Sequence, residues 1–299
     1  MMDWKDVMPA ITTPFRADLS VDHDFLARHA SWMIDAGCSG IVALGSLGEG
    51  ATLQFQEKIE ILRTCARAAG RRVPVVAAIS ALATSEAVRL AREAEQAGCS
   101  GLMILPPYVY STDWREMKAH VAAVLRATPL SCMLYNNPIA YRTDFVPEQV
   151  AELAGDHANL HAVKESSADV RRVTAIRNLL GDRLAIFVGV DDLIVEGVAA
   201  GAIGWIAGLV NALPGESVSL FDAARRGARE EALAIYRWFL PLLRLDTVTK
   251  FVQMIKLVQE EVGMGSARVR PPRLELAGAE REQTLSTIRA ALASRPKLS

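Results

Sequence analysis

Hydrophobic and polar positions along the chain follow one repeated order: a short apolar run, a polar turn, and a longer segment with apolar residues at helical spacing. Residues 22–36 are the first long segment, with Phe25, Leu26, His29, Trp32 and Met33 on one face and Gly37 as the residue that ends the helix. The short runs predict eight strands, at residues 7–11, 40–44, 73–78, 101–105, 131–135, 161–164, 185–189 and 202–206.

The amphipathic segments between and after these runs predict the helices, at residues 22–36, 55–69, 85–97, 113–127, 169–180, 216–226, 230–243, 247–262 and 278–293. Asp113 is a suitable N-cap for the fourth of them. The sequence of residues 36–41 recurs with small changes at 97–102, as expected for a succession of βα units. Eight such units favour a closed parallel (β/α)8 TIM barrel over a doubly wound open sheet. We expect residues 1–229 to form the catalytic barrel and residues 230–299 a C-terminal helical extension of the same domain.

The amino-acid composition excludes several classes of function but does not identify the activity. Of 299 residues, 51% are hydrophobic and 22% charged, and the net charge is −1. Such a balance gives no basic surface for nucleic acid or for an anionic membrane. No apolar run of membrane-spanning length and no signal peptide stands out, so a cytoplasmic location is expected. The four cysteines lack metal-ligand spacing and are expected to be buried free thiols: Cys38, Cys65, Cys99 and Cys132.

The sixth strand candidate ends in Lys164, which is unusual because burying an ammonium without a partner is costly. At the open end of a parallel sheet, desolvation would favour the neutral, nucleophilic amine. Alternatively, Lys164 could extend to solvent and pair with a carboxylate. Tyr135 ends the adjacent fifth strand, so the two side chains should lie within reach, and a tyrosine beside an imine-forming lysine suits acid–base chemistry.

Two further strand ends carry polar groups. Residues 45–50, Gly-Ser-Leu-Gly-Glu-Gly, form a glycine-rich loop whose backbone N–H groups suit a carboxylate, although a plain tight turn is equally compatible with it. Asp191 and Asp192 follow the seventh strand, and we expect them to cap the next helix rather than bind metal.

Four stretches together resemble the dihydrodipicolinate synthase/N-acetylneuraminate lyase family of class I aldolases. These are residues 11–15 (Ile-Thr-Thr-Pro-Phe), 45–49 (Gly-Ser-Leu-Gly-Glu), 135–138 (Tyr-Asn-Asn-Pro) and 163–165 (Val-Lys-Glu). The resemblance covers nearly the whole chain and implies a homotetramer built as a pair of dimers. It also implies a mechanism without metal or cofactor, in which Lys164 forms a Schiff base with a small 2-oxo acid or cyclic imino acid.

The resemblance assigns roles to the remaining site residues. Tyr135 would transfer protons and Ser46 would act as their relay. The substrate carboxylate would bind the backbone at Ser46 and Leu47, and the carbonyl of Ile206 would face the Schiff base. The other residues expected to line the substrate site are Gly45, Gly48, Asn137 and Gly189.

The sequence departs from the synthase pattern at three positions. Leu47 stands in place of a threonine, and Ala140 in place of the arginine that grips the carboxylate of the second substrate; Arg142 lies two residues further on. Val109 stands where the synthases carry the tyrosine that crosses the dimer, and either Tyr108 or Tyr110 could replace it.

The loop Gly-Ser-Leu-Gly-Glu-Gly, together with the stretch Tyr-Asn-Asn-Pro-Ile-Ala-Tyr, most resembles one branch of the family. That branch deaminates 1-pyrroline-4-hydroxy-2-carboxylate, an intermediate of hydroxyproline catabolism, to 2,5-dioxopentanoate and ammonia. We therefore expect this lyase and hydrolase chemistry. The alternatives are 4-hydroxy-tetrahydrodipicolinate synthase, a 2-keto-3-deoxy sugar-acid aldolase or dehydratase, and a binding protein that has kept the barrel without turnover.

Overall fold

The computed structural model describes residues 2–107 and 112–297, and the expectations for Tyr108, Val109 and Tyr110 lie outside these ranges. The described residues form one parallel sheet of eight strands, with the hydrogen-bonded order β1-β8-β7-β6-β5-β4-β3-β2. The strands are β1 Asp6–Pro9, β2 Ile41–Ala43, β3 Val75–Ile79, β4 Gly101–Ile104, β5 Ser131–Asn136, β6 Leu160–Glu165, β7 Ala185–Val188 and β8 Gly204–Ala207. A parallel bridge between Ala10 and Val42 joins the first strand to the second and completes the barrel.

Helices follow the strands and cover the outside of the barrel. They are α1 His23–Asp35, α2 Phe55–Ala69, α3 Thr84–Gln96, α4 Trp114–Arg126, α5 Pro138–Tyr141, α6 Pro147–Asp156, α7 Arg171–Leu180, α8 Ile194–Ala199, α9 Pro214–Arg225, α10 Arg229–Leu243, α11 Phe251–Glu261 and α12 Gly278–Ala293. The predicted TIM barrel is thereby confirmed, and the open doubly wound sheet is wrong. Every residue of β2, β3, β4 and β5 is buried, as expected for strands covered on both faces.

The predicted bounds of the helices and strands agree closely with those in the structure, and the differences have local causes. The segments 55–69 and 278–293 coincide with α2 and α12, and Asp113 caps α4 by accepting a hydrogen bond from the backbone N–H of Glu116 at 3.1 Å. The helix predicted at 247–262 begins only at Phe251, because a 3-10 helix, Arg244–Asp246, and a turn precede it. The short helices α5, α6 and α8 were not predicted.

Helix α6 had a usable signal that the prediction missed. Pro147 occupies its first turn, where a missing N–H costs nothing. The side-chain carbonyl of Gln149 accepts a hydrogen bond from the backbone N–H of Val146 at 3.2 Å. Three buried residues, Val150, Leu153 and Ala154, form its apolar face. This narrow stripe is a weaker pattern than that of the longer helices.

The C-terminal helices share the barrel's hydrophobic core. Phe239 of α10 and Ile255 of α11 are fully buried in the same cluster as the strand residues, and the indole N–H of Trp238 donates to the carbonyl of Ala291 at 2.8 Å. The boundary between residues 1–229 and 230–299 stays a prediction. All four cysteines are buried and free, as predicted, and burial raises the pKa of the Cys65 thiol to about 12. In the part of the chain that the structure describes, no helix is both long and apolar enough to cross a membrane.

Candidate active site

Lys164 and Tyr135 meet at the carboxyl end of the barrel, as their strand positions predict. The two residues are paired in the register of β5 and β6, and only 6% of Lys164 and 5% of Tyr135 is exposed. The Lys164 Nζ atom lies 4.3 Å from the centroid of the Tyr135 ring. A cation over the face of an aromatic ring is attracted by its electron density. The lysine is therefore held inside the barrel mouth, and the alternative of a lysine extended into solvent is wrong.

The hydroxyl of Tyr135 is oriented by Asn137. The Asn137 side-chain amide donates to the phenol oxygen at 2.9 Å, while its carbonyl oxygen accepts from the backbone N–H of Ala140 at 3.0 Å and so caps α5. Because the phenol oxygen accepts this bond, its own O–H is left to act as a donor. Asn137 thus orients the Tyr135 hydroxyl, and its expected contact with the substrate stays a prediction.

Ser46 contacts a tyrosine that the sequence prediction did not single out. Its hydroxyl forms a hydrogen bond with the hydroxyl of Tyr141. The Tyr141 ring packs edge-on against Tyr135, with ring centroids 5.8 Å apart and an interplanar angle of 87°. The signal was present, since Tyr141 ends the stretch Tyr-Asn-Asn-Pro-Ile-Ala-Tyr. Hydroxyl-bearing residues of β5, α5 and the loop after β2 therefore form one continuous group.

The loop at residues 45–50 is packed tightly against the first strand. A side chain at Gly48 would meet the carbonyl oxygen of Ile11 at 2.9 Å, and the Thr13 hydroxyl donates to the Gly48 carbonyl at 2.6 Å. Leu47 is buried. A Cβ atom added at Gly45 would contact only the methyl group of Met103, at 3.9 Å, so this position has room for a side chain. The glycine at position 48 is thus required by a close backbone approach.

A polar network supports the strand ends that carry the two central residues. The Asn136 amide donates to Glu165 and to Asp144, each at 3.1 Å, and Arg172 binds both oxygens of Asp144 at 2.5 and 2.8 Å. Burial raises the pKa of the Glu165 carboxyl, although hydrogen bonds from Ser167 and Asn136 oppose the shift. Because Asn136 and Glu165 follow Tyr135 and Lys164 directly, this network fixes the direction of both strands. The sequence prediction missed it.

On the other side of Lys164 the backbone of β7 comes very close. A side chain at Gly189 would collide with the Cε and Cγ atoms of Lys164, so glycine is needed to admit the lysine stem. Gly189 therefore packs directly against the Lys164 side chain, and its expected contact with the substrate stays a prediction. Ile206 lies in β8 with its side chain buried, and the role of its carbonyl stays a prediction.

Asp191 is buried, and neither it nor Asp192 caps α8, whose N-cap position is Leu193, so that expectation was wrong. One oxygen accepts from the indole N–H of Trp205 at 3.0 Å, and the other accepts from the backbone N–H groups of Leu209 and Gly208 at 2.9 and 3.1 Å. Burial raises the pKa of Asp191 to about 6, while these donors and the positive charge of Lys164 work against the shift. Asp191 thereby ties the loop after β7 to the loop after β8.

Asp246, which the sequence analysis did not consider, approaches the same place from the C-terminal extension. Its Oδ1 atom lies so close to the Cα of Gly208 that a side chain there would collide with it. Burial raises the pKa of Asp246, the charge of Asp191 adds to the shift, and Lys164 opposes it. No group of three His, Cys, Asp or Glu residues in the described ranges could hold a metal ion.

A buried ion pair joins the loop after β2 to α11. Lys256 and Glu49 are 2% and 0% exposed, with 2.6 Å between Lys256 Nζ and Glu49 Oε1. Lys256 also donates to the carbonyls of Thr13 and Arg268, both at 2.8 Å, and the second Glu49 oxygen accepts from the backbone N–H of Arg270 at 3.0 Å. Burial lowers the pKa of Lys256, and Glu49 opposes that shift. The C-terminal extension thereby holds the glycine-rich loop in place.

Replacing Lys256 with alanine is expected to destabilise the protein by about 3–5 kcal/mol, because Glu49 would be left buried without its main partner. The matched control is Lys250→Ala, which removes a 2.5 Å ion pair with Glu280 in which both side chains are at least 40% exposed. That change should cost no more than about 1 kcal/mol. Urea unfolding of both variants measures the difference, and equal losses would contradict a structural role for the buried pair.

Comparison with known proteins gives one consistent result. Residues 3–291 match the model of the Dihydrodipicolinate synthetase family. The chain is 32% identical to 4-hydroxy-tetrahydrodipicolinate synthase of Rhizobium meliloti over 289 residues, 97% of each chain. It is 34% identical to the protein of the same name from Chelativorans sp. over 233 residues, 78% of this chain and 80% of that one.

Solved structures agree in fold. Dihydrodipicolinate synthase DapA-2 from Bacillus anthracis has a TM-score of 0.93 at 26% identity, covering 99% of this chain and 100% of that one. YagE from E. coli K12, a prophage protein of the dihydrodipicolinic acid synthase family in complex with pyruvate, has a TM-score of 0.91 at 26% identity, covering 97% and 99%. The chain thus belongs to the dihydrodipicolinate synthetase family and is an enzyme of its class I, Schiff-base-forming lyase type.

Proposed function

We propose that Lys164 is the Schiff-base lysine and that it acts on a small 2-oxo acid or cyclic imino acid. The observation that carries this proposal is the position of the Lys164 amine, buried at the end of β6 between the Tyr135 ring and Gly189. The neutral amine attacks C2 of the substrate. The oxygen of a 2-oxo acid then leaves as water, or the ring nitrogen of a cyclic imino acid leaves as an amine, and the resulting iminium draws electrons from C3. A C3 proton or a bond to C3 can then be released.

The remaining site residues fit parts of this reaction. Tyr135 offers an oriented phenol that can give a proton to the departing oxygen and take one from C3. The hydroxyls of Ser46 and Tyr141 form a second hydrogen-bonded pair, and the Tyr141 ring packs against Tyr135. The backbone at Ser46 and Leu47, in the loop that Gly48 allows to pack closely against the first strand, would hold the substrate carboxylate. The Ile206 carbonyl would face the iminium from β8.

Among finer functions, the names of the curated relatives favour 4-hydroxy-tetrahydrodipicolinate synthase over the deaminase that the sequence motifs suggested. Relatives at 32–34% identity carry that name. In this reaction the pyruvate-derived Schiff base would react through C3 with a second substrate that bears a carboxylate.

One observation keeps the deaminase as a second candidate. Ala140 occupies the position of the synthase arginine that binds the second carboxylate, and it is exposed in α5. Arg142, two residues on, is exposed and ends that helix in the left-handed conformation with φ 63°. In the deaminase reaction Lys164 would attack C2 of 1-pyrroline-4-hydroxy-2-carboxylate and open the ring. Loss of the C4 hydroxyl as water and hydrolysis at C5 would then release ammonia, and hydrolysis of the Lys164 iminium at C2 would free the amine and yield 2,5-dioxopentanoate.

Two assays on one enzyme preparation separate these functions. The first supplies pyruvate with aspartate semialdehyde and follows the cyclic product, and the second supplies 1-pyrroline-4-hydroxy-2-carboxylate and follows ammonia. Product in the first assay alone supports the synthase, and ammonia in the second alone supports the deaminase. If neither forms while pyruvate still gives a reduced adduct with borohydride, both finer functions are wrong and the sugar-acid aldolases and dehydratases become the candidates. The proposed homotetramer is tested separately by light scattering on the purified protein.

A further inference from the structure

The residues that follow Asn136 form a loop that returns to the point where it leaves β5. The backbone N–H of Phe145 donates to the side-chain carbonyl of Asn136 at 2.9 Å, so this one side chain joins both ends of residues 137–144. Asn136 is fully buried, and its amide also donates to Asp144 at 3.1 Å. Loops whose ends are held together in this way form compact units. We call this segment the 137–144 loop.

The 137–144 loop contacts the Tyr135 side chain at two places. Its first residue, Asn137, donates to the phenol oxygen at 2.9 Å. Its helical turn α5 carries Tyr141, whose ring packs edge-on against the Tyr135 ring with 5.8 Å between the centroids. No residue of α5 is buried, so burial within the loop contributes little to its order. The position of these two neighbours of the phenol therefore depends on the anchors at the ends of the loop.

An ion pair holds the far end of the 137–144 loop. Arg172, in the first turn of α7, binds both carboxylate oxygens of Asp144, at 2.5 and 2.8 Å. Such a two-point pair fixes the orientation of the carboxylate as well as its position. The side chains of Asp144 and Arg172 are 35% and 21% exposed, so water can hydrate either group when its partner is changed, and the fold should survive the change.

We propose that Asp144 and Arg172 are positioning residues for proton transfer by Tyr135. Their ion pair and the side chain of Asn136 keep the 137–144 loop closed, and the closed loop holds the phenol in one orientation. This inference rests on the proposed Schiff-base function and extends it to residues that act through the tyrosine. Because a displacement of about 1 Å at a reacting group can cost about 100-fold in rate, such an anchor affects proton transfer without taking part in it.

The nearly isosteric change Asp144→Asn tests the proposal. It replaces one carboxylate oxygen by an amide, so the two-point pair with Arg172 is lost. Exchange of the C3 protons of pyruvate in D₂O should slow by about 10- to 100-fold. The pyruvate concentration that gives half of the borohydride-reduced adduct should change by less than about twofold, because Lys164 and the loop at 45–50 are untouched.

The same change in a Tyr135→Phe background separates a positioning role from a general structural one. With no phenol left to orient, Asp144→Asn should alter the remaining exchange rate by less than about twofold. An equal slowing in both backgrounds would overturn the proposal, because the ion pair would then act independently of the tyrosine. Unchanged exchange in Asp144→Asn alone would overturn it as well, and so would a half-saturating pyruvate concentration that rises as much as the exchange rate falls.

Asp169→Asn is the matched control. Asp169 binds the adjacent Arg171 through both oxygens, at 2.7 and 2.8 Å, and its side chain is 34% exposed, against 35% for Asp144. Exchange should continue there at the wild-type rate.

If circular dichroism shows that Asp144→Asn is unfolded, Arg172→Lys is judged by the same criteria, since lysine keeps the charge but lacks the planar fork that binds two oxygens. A wild type that forms the adduct but does not exchange the C3 protons would also overturn the proposal. If the wild type forms no adduct with pyruvate, the proposed Schiff-base function itself has failed, which is a separate result.

Discussion

Changing Lys164 to alanine is expected to abolish exchange of the C3 protons of pyruvate, with a loss of about 10⁴-fold or more in rate, because no other group can form the iminium that makes C3 acidic. Deuterium incorporation in D₂O, followed by proton NMR, measures this step directly and needs no knowledge of the second substrate. The variant should remain folded, because Asp191 and Asp246, whose pKa values burial already raises, can take up protons once the nearby cation is gone.

Two further variants show whether the loss of exchange comes from the missing nucleophile. One keeps the positive charge at position 164, and the other removes a lysine elsewhere in the protein. Lys164→Arg keeps a cation near the Tyr135 ring but cannot form a Schiff base, so it should be as inactive as the alanine variant. Lys118→Ala removes a lysine that pairs with Glu152 and Asp156 at 2.5 and 2.6 Å on the outer helices, and exchange should continue at the wild-type rate. Substantial exchange by Lys164→Arg would mean that the lysine acts through its charge and not through a covalent bond.

Changing Tyr135 to phenylalanine should slow the same exchange by about 10²–10⁴-fold, the usual contribution of a positioned acid–base group. The ring is retained, so the contact of Lys164 Nζ with its face at 4.3 Å should survive. We therefore expect the pyruvate adduct still to form at equilibrium, although slowly. An exchange rate close to that of the wild type would show that another group moves the proton.

Tyr141→Phe is the matched control for Tyr135→Phe, because it removes the hydroxyl of a tyrosine that packs against Tyr135. Its ring contacts Tyr135 edge-on, and its hydroxyl bonds Ser46. If it only relays protons, the exchange rate should fall by about tenfold, much less than in Tyr135→Phe, since a lost neutral hydrogen bond is worth about 1 kcal/mol. A loss equal to that of Tyr135→Phe would instead make Tyr141 the principal acid–base group.

The order of the strands, and the meeting of Tyr135 with Lys164 at their ends, could be predicted from the sequence. Eight apolar runs separated by helical segments favour a barrel over an open sheet. In a parallel barrel the ends of neighbouring strands lie side by side, which brings Tyr135 and Lys164 together. Helix α6 was missed because its apolar face has only three residues. The cap predicted for Asp191 was wrong. An aspartate before a helix often caps that helix, but the Asp191 carboxyl instead accepts from the backbone of the loop after β8.

The groups that surround the central pair could not be predicted in this way. The ion pair of Lys256 with Glu49 joins positions 207 residues apart, and Asp246 meets Gly208 through the path of the C-terminal extension. Neither contact leaves a periodic or spaced pattern, since each depends on how α11 and its preceding 3-10 helix lie across the barrel mouth. Long-range polar contacts of this kind need coordinates.

The most direct test of the central claim is to locate the covalent adduct. The protein is incubated with pyruvate, reduced with borohydride, digested, and sequenced by tandem mass spectrometry. We expect a single reduced pyruvate adduct, on the peptide that contains Lys164 and at that residue. An adduct on a different lysine, or none on folded protein, would contradict the assignment of Lys164 as the Schiff-base lysine.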